Sequence, residues 1–290
     1  MPNHFFRNQT AAALLLWGFC QAQDAAPAPP PATVEAKPEI LTATPRVWIF
    51  NGVPGDDNHH DFYEKNIASL RKSLTDRYGV PAGNITVLYG PRSAGYDGPC
   101  TRDTLLAQLA EVVTYTMKPD AGQAWVILQG HANPVKGGAM FNLPGPDVSM
   151  REIAESLKKA APGIPLVLLG TTTASADLVG RLKGPGRFVI SAATAGDKEN
   201  ETEFPTALAA CLASEASDAD HDGILTLTEL FLATNAAVLA IYKEGDFIVK
   251  EHAQLDGNGD GKATQRPAPE DAGPASRIGL AAGGGKPKFE

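Results

Sequence analysis

Short apolar runs alternate with longer amphipathic stretches from residue 46 onward. "RVWIFNG" (46–52), "NITVLYG" (84–90), "QAWVILQG" (123–130), "PLVLLG" (165–170) and "RFVISA" (187–192) have the length and β-branched, aromatic content of strands. Between and after them lie patterns with helical spacing, at 61–79, 101–117, 147–160, 202–216 and 225–243, with a shorter one around 175–183. Asp61 with Glu64 predicts a capping box for the first helix, Gly79 stops it, and Thr101 caps the second. Strand and helix in alternation, joined by short loops, predict a mostly parallel central sheet with helices on both faces. The runs at 123–129 and 165–169 carry almost no polar residues, so they should be central strands buried on both sides.

The ends of the chain break this pattern. Residues 1–22 carry Arg7, a short apolar run from Ala11 to Phe19 and small residues before Ala22, which reads as a signal peptide cut after Ala22. The competing reading is a lipid anchor on Cys20. Export to a secreted or periplasmic location follows from either. Residues 23–45 form an Ala/Pro-rich linker, and 264–290, rich in Pro, Gly and Ala, is expected to be disordered. The domain is then 46–263, long enough for one buried core. The net charge is −8 with no basic stripe, which argues against a nucleic-acid partner, and no second apolar run reaches transmembrane length. Cys100 and Cys211 would remain after cleavage, free or paired. Asn84-Ile85-Thr86 and Asn200-Glu201-Thr202 are glycosylation-type triplets that matter only in a eukaryotic source.

In a parallel sheet, reactive groups collect at the carboxyl ends of the central strands. Those ends read "QGHANP" and "GTTTASAD". His131 follows the third strand and Thr172 the fourth, and a histidine beside a hydroxyl is the minimum set for nucleophilic catalysis.

Here the chain resembles the caspase–legumain clan of cysteine peptidases, over about residues 46 to 211. "RVWIFNG" with the acidic, His-containing loop after it resembles the opening strand of the legumain-like branch. "VILQGHANP" resembles its strand ending in the catalytic His, and "PLVLLGTTTASA" occupies the place of its strand ending in Glu-Ala-Cys-Glu-Ser-Gly. "FVISAATAGDKENETEF" resembles the strand and loop that line its substrate pocket. The resemblance implies a three-layer caspase-like α/β fold. It also implies that His131 stands at the general base, Asn51 at the residue orienting it, and Thr172 at the catalytic cysteine. Gly130, Ala132, Thr171, Thr173, Ser175 and Asn200 would line the substrate site. Thr172 departs from the family, because a hydroxyl has no thiolate chemistry near neutral pH. Ala132 replaces the family's usual glycine, and neither Cys100, before a helix, nor Cys211, within one, can substitute for the missing thiol. The resemblance therefore leaves two readings. One is a caspase-like homologue without cysteine-peptidase activity that binds peptide or protein partners. The other is a hydrolase that uses a hydroxyl of Thr171, Thr172, Thr173 or Ser175 with His131.

"DADHDGILTLTE" (218–229) matches D-x-[DN]-x-[DN]-G-x5-E at every keyed position. Asp218, Asp220 and Asp222 offer carboxylates, Ile224 its carbonyl, Thr226 the ninth position and Glu229 the closing bidentate pair, an all-oxygen set suited to Ca²⁺. Helical patterns flank it, and apolar Leu225 fits a small sheet contact between paired loops. "DGNGDGKATQRP" (256–267) begins alike with Asp256, Asn258 and Asp260, but Pro267 stands where the closing carboxylate should be. Either that site is incomplete or a carboxylate from elsewhere finishes it. "DDNHHD" (56–61) raises a transition-metal reading, but the adjacent His59 and His60 should diverge on regular structure, so a solvated loop is the expectation.

Overall fold

The computed structural model describes residues 39–91, 94–195, 197 and 201–283. The signal segment, most of the linker and Asn200 lie outside the described residues. Five parallel strands and one antiparallel edge strand form the main sheet. They are β1 (Pro45–Asn51), β2 (Ile85–Tyr89), β3 (Gln123–Gln129), β7 (Leu166–Gly170), β8 (Arg187–Ser191) and β10 (Gln254–Asp256), in the order β10-β8-β7-β3-β1-β2. After β3 the chain makes a small antiparallel sheet from β4 (Ala132–Val135), β5 (Gly138–Phe141) and β6 (Val148–Ser149).

The strand side chains alternate between two cores, as period-two geometry requires. Val47, Ile49, Trp125, Ile127, Val167 and Leu169 face one side, under helices α1 (Asp57–Lys72), α4 (Phe204–Ala213) and α5 (Leu227–Glu244). Trp48, Phe50, Val126, Leu128, Leu166 and Leu168 face the other, under α2 (Arg102–Thr116) and α3 (Met150–Leu157). The result is the α/β sandwich with a mostly parallel sheet that the pattern implied, with every residue of β3 and β7 buried.

The first helix differs from expectation at both ends, and α3 and α4 are shorter than the patterns at 147–160 and 202–216. The first helix starts at Asp57 rather than 61, because Asp56 adopts an extended backbone and its carboxylate accepts the His59 N–H at 2.9 Å. An oxygen three residues ahead of an unpaired N–H is all a helix start needs, and Asp56 supplies it before Asp61 can. Beyond Lys72 the helix widens into a π turn (Ser73–Arg77) and ends at Gly79, whose φ is +62°.

The larger correction concerns both ends. Residues 264–283 are not a disordered tail: they form α6 (Pro269–Ala275) and β11 (Gly279–Ala281), with Ala275, Ile278 and Leu280 buried in the first core. β11 pairs antiparallel with β9 (Ile224–Thr226), setting Leu280 opposite Leu225. The end of the linker is held too, with Leu41 bridged to Ile278. The buried amide of Gln123 donates to Leu41 O and Gly279 O, at 2.9 Å each. A composition rich in Ala, Pro and Gly hides a few apolar residues that cover the core once the sheet exists. Among the described residues no helix is long and apolar enough to cross a membrane.

Candidate functional site

β1, β3 and β7 are neighbours, so Asn51, His131 and the threonine turn open at one edge of the sheet. Gly130 passes this edge with φ +131°, and a Cβ there would lie 3.0 Å from Gly52 N, so the crossing is too close for any side chain. Asn51 is fully buried. Its Oδ1 accepts from Gln129 Nε2 at 2.8 Å and its Nδ2 donates to Gly52 O at 3.0 Å. The partner that positions Asn51 is thus Gln129, which the sequence did not single out. The His131 ring donates from Nε2 to Pro54 O at 3.2 Å, so that nitrogen carries a proton.

The hydroxyls of the threonine turn are all engaged, one within the turn and three on neighbouring strands. Thr171 donates to Leu128 O (2.8 Å), Thr172 to Thr173 O (2.9 Å) and Thr173 to Ala132 O (2.7 Å), while Ser175 shares a 3.0 Å hydrogen bond with Ser191. Thr202 adds a bond to Thr171 O at 2.6 Å. Side-chain hydroxyls that satisfy backbone carbonyls let a strand leave the sheet without orphaned polar groups. Thr172 is 1% exposed. The threonine that reaches the adjacent cavity is Thr173, which with Ala132, Asp177, Arg181, Thr194 and Asp197 lines a space of about 600 Å³. Asp177 and Arg181 pair across 2.9 Å. Asp197 anchors its side of the cavity, accepting from Thr194 N at 2.7 Å and lying 2.8 Å from His252 Nδ1. Cys100 and Cys211 are buried and unpaired, and burial pushes the pKa of both thiols up.

The acidic loop behaves differently from a solvated turn. His59 and His60 diverge, as expected. His60 turns to Tyr89, with Nδ1 2.5 Å from its hydroxyl. His59 turns inward, with Nε2 2.8 Å from Glu201 Oε2 and its ring centroid 5.0 Å from that of His131. Asp56 Oδ1 lies 2.7 Å from its Nδ1, and the Tyr63 hydroxyl donates to Glu201 Oε1 at 3.3 Å. Burial opposes a charge on His59, but Asp56 and Glu201 outweigh it and the His59 pKa is raised. Burial, with Glu201 beside it, pushes the Tyr63 phenol up.

The two Asp-rich loops share one hydrogen-bonding scheme. The first residue accepts the N–H of the sixth: Asp218 from Gly223 and Asp256 from Gly261, both at 2.9 Å. The third accepts from the fifth: Asp220 from Asp222 at 3.2 Å and Asn258 from Asp260 at 2.8 Å. The fifth accepts from the seventh: Asp222 from Ile224 at 2.9 Å and Asp260 from Lys262 at 2.7 Å. Positive φ recurs at the fourth and sixth positions, His221 and Gly223 in one loop, Gly259 and Gly261 in the other. In the first loop Asp218, Asp220 and Asp222 present oxygens within 4.8 Å of one another. Asp218 Oδ1 is buried there without a hydrogen-bond partner, and Ile224 and Thr226 stand on β9 at the loop's exit. Glu229 Oε1 accepts from Ala219 N at 3.0 Å and Oε2 from the Thr226 hydroxyl at 2.7 Å, so its carboxylate closes the loop but lies outside that cluster. In the second loop the acid that joins Asp256 and Asp260 is Asp271 of α6, again within 4.8 Å. It comes from a segment expected to be disordered. The loops do not pair with each other: β9 takes β11, and β10 of the second loop takes β8.

No protein-family model matches the chain, and no curated protein matches it. Among solved structures it is similar to the Drosophila initiator caspase Dronc, at 18% identity over 78% of this chain and 84% of that one, with a TM-score of 0.50. The fold is caspase-like. The chain is also similar to a secreted C11 cysteine protease from Bacteroides thetaiotaomicron, solved with an irreversible peptide inhibitor. There the identity is 11%, the TM-score 0.40 and the coverage 72% of this chain, and the match spans 65% of that protein.

Proposed function

We propose that this chain is an exported caspase-like homologue that lacks cysteine-peptidase activity, binds a peptide or protein segment in its cleft, and carries Ca²⁺ in its C-terminal loops. One observation carries the loss of activity. Thr172, at the position of the nucleophile, is buried and gives its hydroxyl to Thr173 O. A hydroxyl needs a base to take its proton, and none of the hydroxyls in this turn has His131 as its described partner. The described cysteines are buried and their raised pKa values disfavour thiolate. The cavity beside Thr173 and Ala132, bounded by Asp177, Arg181 and Asp197, supports binding of an extended segment with polar groups.

The oxygen-only donor set of the first loop, and the orphaned buried oxygen of Asp218, support a hard cation there. Asp218, Asp220, Asp222 and the Ile224 carbonyl would hold it, with Thr226 and Glu229 completing the shell. Asp256, Asn258, Asp260 and Asp271 would hold a second. Burial raises the Asp256 pKa, a penalty that a bound cation reverses. The ions would brace loops that tie α5, β10 and the C-terminal segment to the core. The activity reading is tested with purified protein and pools of peptide substrates, with and without Ca²⁺, alongside His131→Ala and Thr172→Ala. No turnover above background is expected. Turnover that both substitutions abolish would establish a hydroxyl hydrolase instead.

A further inference from the structure

The side chains of His59, His131 and Glu201 come from three separate parts of the chain: the first turn of α1, the residues after β3 and the approach to α4. A nitrogen from each ring and an oxygen of the carboxylate all lie within 4.8 Å of one another. In a closed tetrahedral zinc shell, with bonds near 2.1 Å, neighbouring ligand atoms sit roughly 3.4 Å apart. The His59–Glu201 contact is already tighter than that, at 2.8 Å, and rotation of the Glu201 side chain can open it to admit an ion. We propose that these three residues form a zinc site, distinct from both Asp-rich loops, with its fourth position left to water.

The chemistry of the donors selects the class of metal. Imidazole nitrogens favour Zn²⁺ and related first-row ions, whereas Ca²⁺ takes oxygens, so this cluster and the acidic loops would not compete for the same ion. Groups of the kind that orient metal ligands flank all three, and two of them are hydrogen-bonded to their ligand. Asp56 Oδ1 stands 2.7 Å from Nδ1 of His59. Pro54 O holds Nε2 of His131 at 3.2 Å. The Tyr63 hydroxyl donates to Glu201 Oε1 at 3.3 Å. A metal on His131 would occupy the lone pair that a general base needs, so the loaded cleft could not use this histidine to accept a proton. The site stands independently of whether the cleft is catalytic.

The experiment is a calorimetric titration of the metal-free full chain with Zn²⁺ in saturating Ca²⁺, repeated with Co²⁺ and visible absorption as the spectroscopic probe. One Zn²⁺ per chain is expected, with Co²⁺ giving the intense bands of low coordination. His59→Ala and Glu201→Gln, made singly at partly exposed side chains, should each weaken binding by at least about tenfold. Asp218→Asn and Asp256→Asn should leave zinc affinity unchanged. Absence of Zn²⁺ binding would overturn the site. So would affinity and Co²⁺ spectra in both ligand variants that match the unsubstituted chain. Should one variant fail to fold, judged by circular dichroism, the other decides. The readout is binding, so failure here leaves the peptide-turnover and calcium tests intact.

Discussion

Leu280→Ala tests whether the C-terminal segment is part of the fold. Leu280 is 2% exposed, sits opposite Leu225 across the β9–β11 pair, and shares a core with Ala275 and Ile278. Truncation to alanine removes three buried carbons, about 2.4 kcal/mol at ~0.8 kcal/mol each. The cavity left behind adds to this, and measured Leu→Ala costs run at about 2–5 kcal/mol. The site is pinned from several directions, by the Gln123 bond to Gly279 O and by Leu41 against Ile278, so collapse around the cavity should be limited. We expect a loss of about 3 kcal/mol. For a domain of this size each kcal/mol moves the midpoint by about 2–4 °C, so the melt should shift down by roughly 6–12 °C. Urea and thermal unfolding in a chelator measure the effect. A change within about 0.5 kcal/mol, as for a substitution on an unpacked surface, would refute the packing of β11. Because β11 backs residues 224–226 of the first Asp-rich loop, the same substitution should also shrink any calcium-induced rise in melting temperature.

Calcium at a hundred times its dissociation constant should stabilise the chain by about 2.7 kcal/mol per site, read as a rise in melting temperature. Asp218→Asn and Glu229→Ala should each remove the contribution of the first loop, and Asp271→Asn that of the second; melting curves unchanged by all three would exclude both sites. Glu152 closes the capping box of α3 with Ser149 and pairs with Arg102 of α2. The Ser149 hydroxyl and N–H, with Arg102 beyond them, hold the Glu152 pKa below its ordinary value. A carboxylate with a lowered folded pKa contributes stability that is present above the unfolded value and lost as pH falls through the folded one. Glu152→Ala should therefore cost about 1 kcal/mol at pH 7, mostly from the cap because the Arg102 pair is open to solvent, and less in acid. A cost that is the same at pH 7 and pH 3 would show that packing, not the charge, is responsible.

The sheet was legible because its residues answer to local rules. Runs such as "QAWVILQ" and "LVLLG" are too apolar for anything but a buried strand, and their alternation with capped helices leaves few topologies. The Asp-rich loop at 218–229 was legible for a similar reason: five keyed residues within twelve positions define its hydrogen bonds almost without help from the rest of the chain. The site residues were legible only as positions. That Thr173 turns its hydroxyl onto Ala132 O, and that Asn51 bonds to Gln129, depends on which strand lies beside which.

Tertiary structure decided whatever joins distant segments of weak local character. His59, His131 and Glu201 are separated by long stretches of sequence, and nothing near any of them announces the others. Asp271 lies in a segment whose Pro, Gly and Ala content reads as unfolded, yet α6 brings it to Asp256 and Asp260. Leu280 and Leu41 are single apolar residues in polar or small-residue surroundings, too sparse to produce a periodic signal. Leu280 becomes structural because an open edge of the core exists for it to cover, and the free energy of that burial comes from the partner surface; Leu41 is held through its backbone bridge to Ile278. Local pattern thus specified the five parallel strands, the five longer helices and the first Asp-rich loop. Only the assembled core determined which side chains meet.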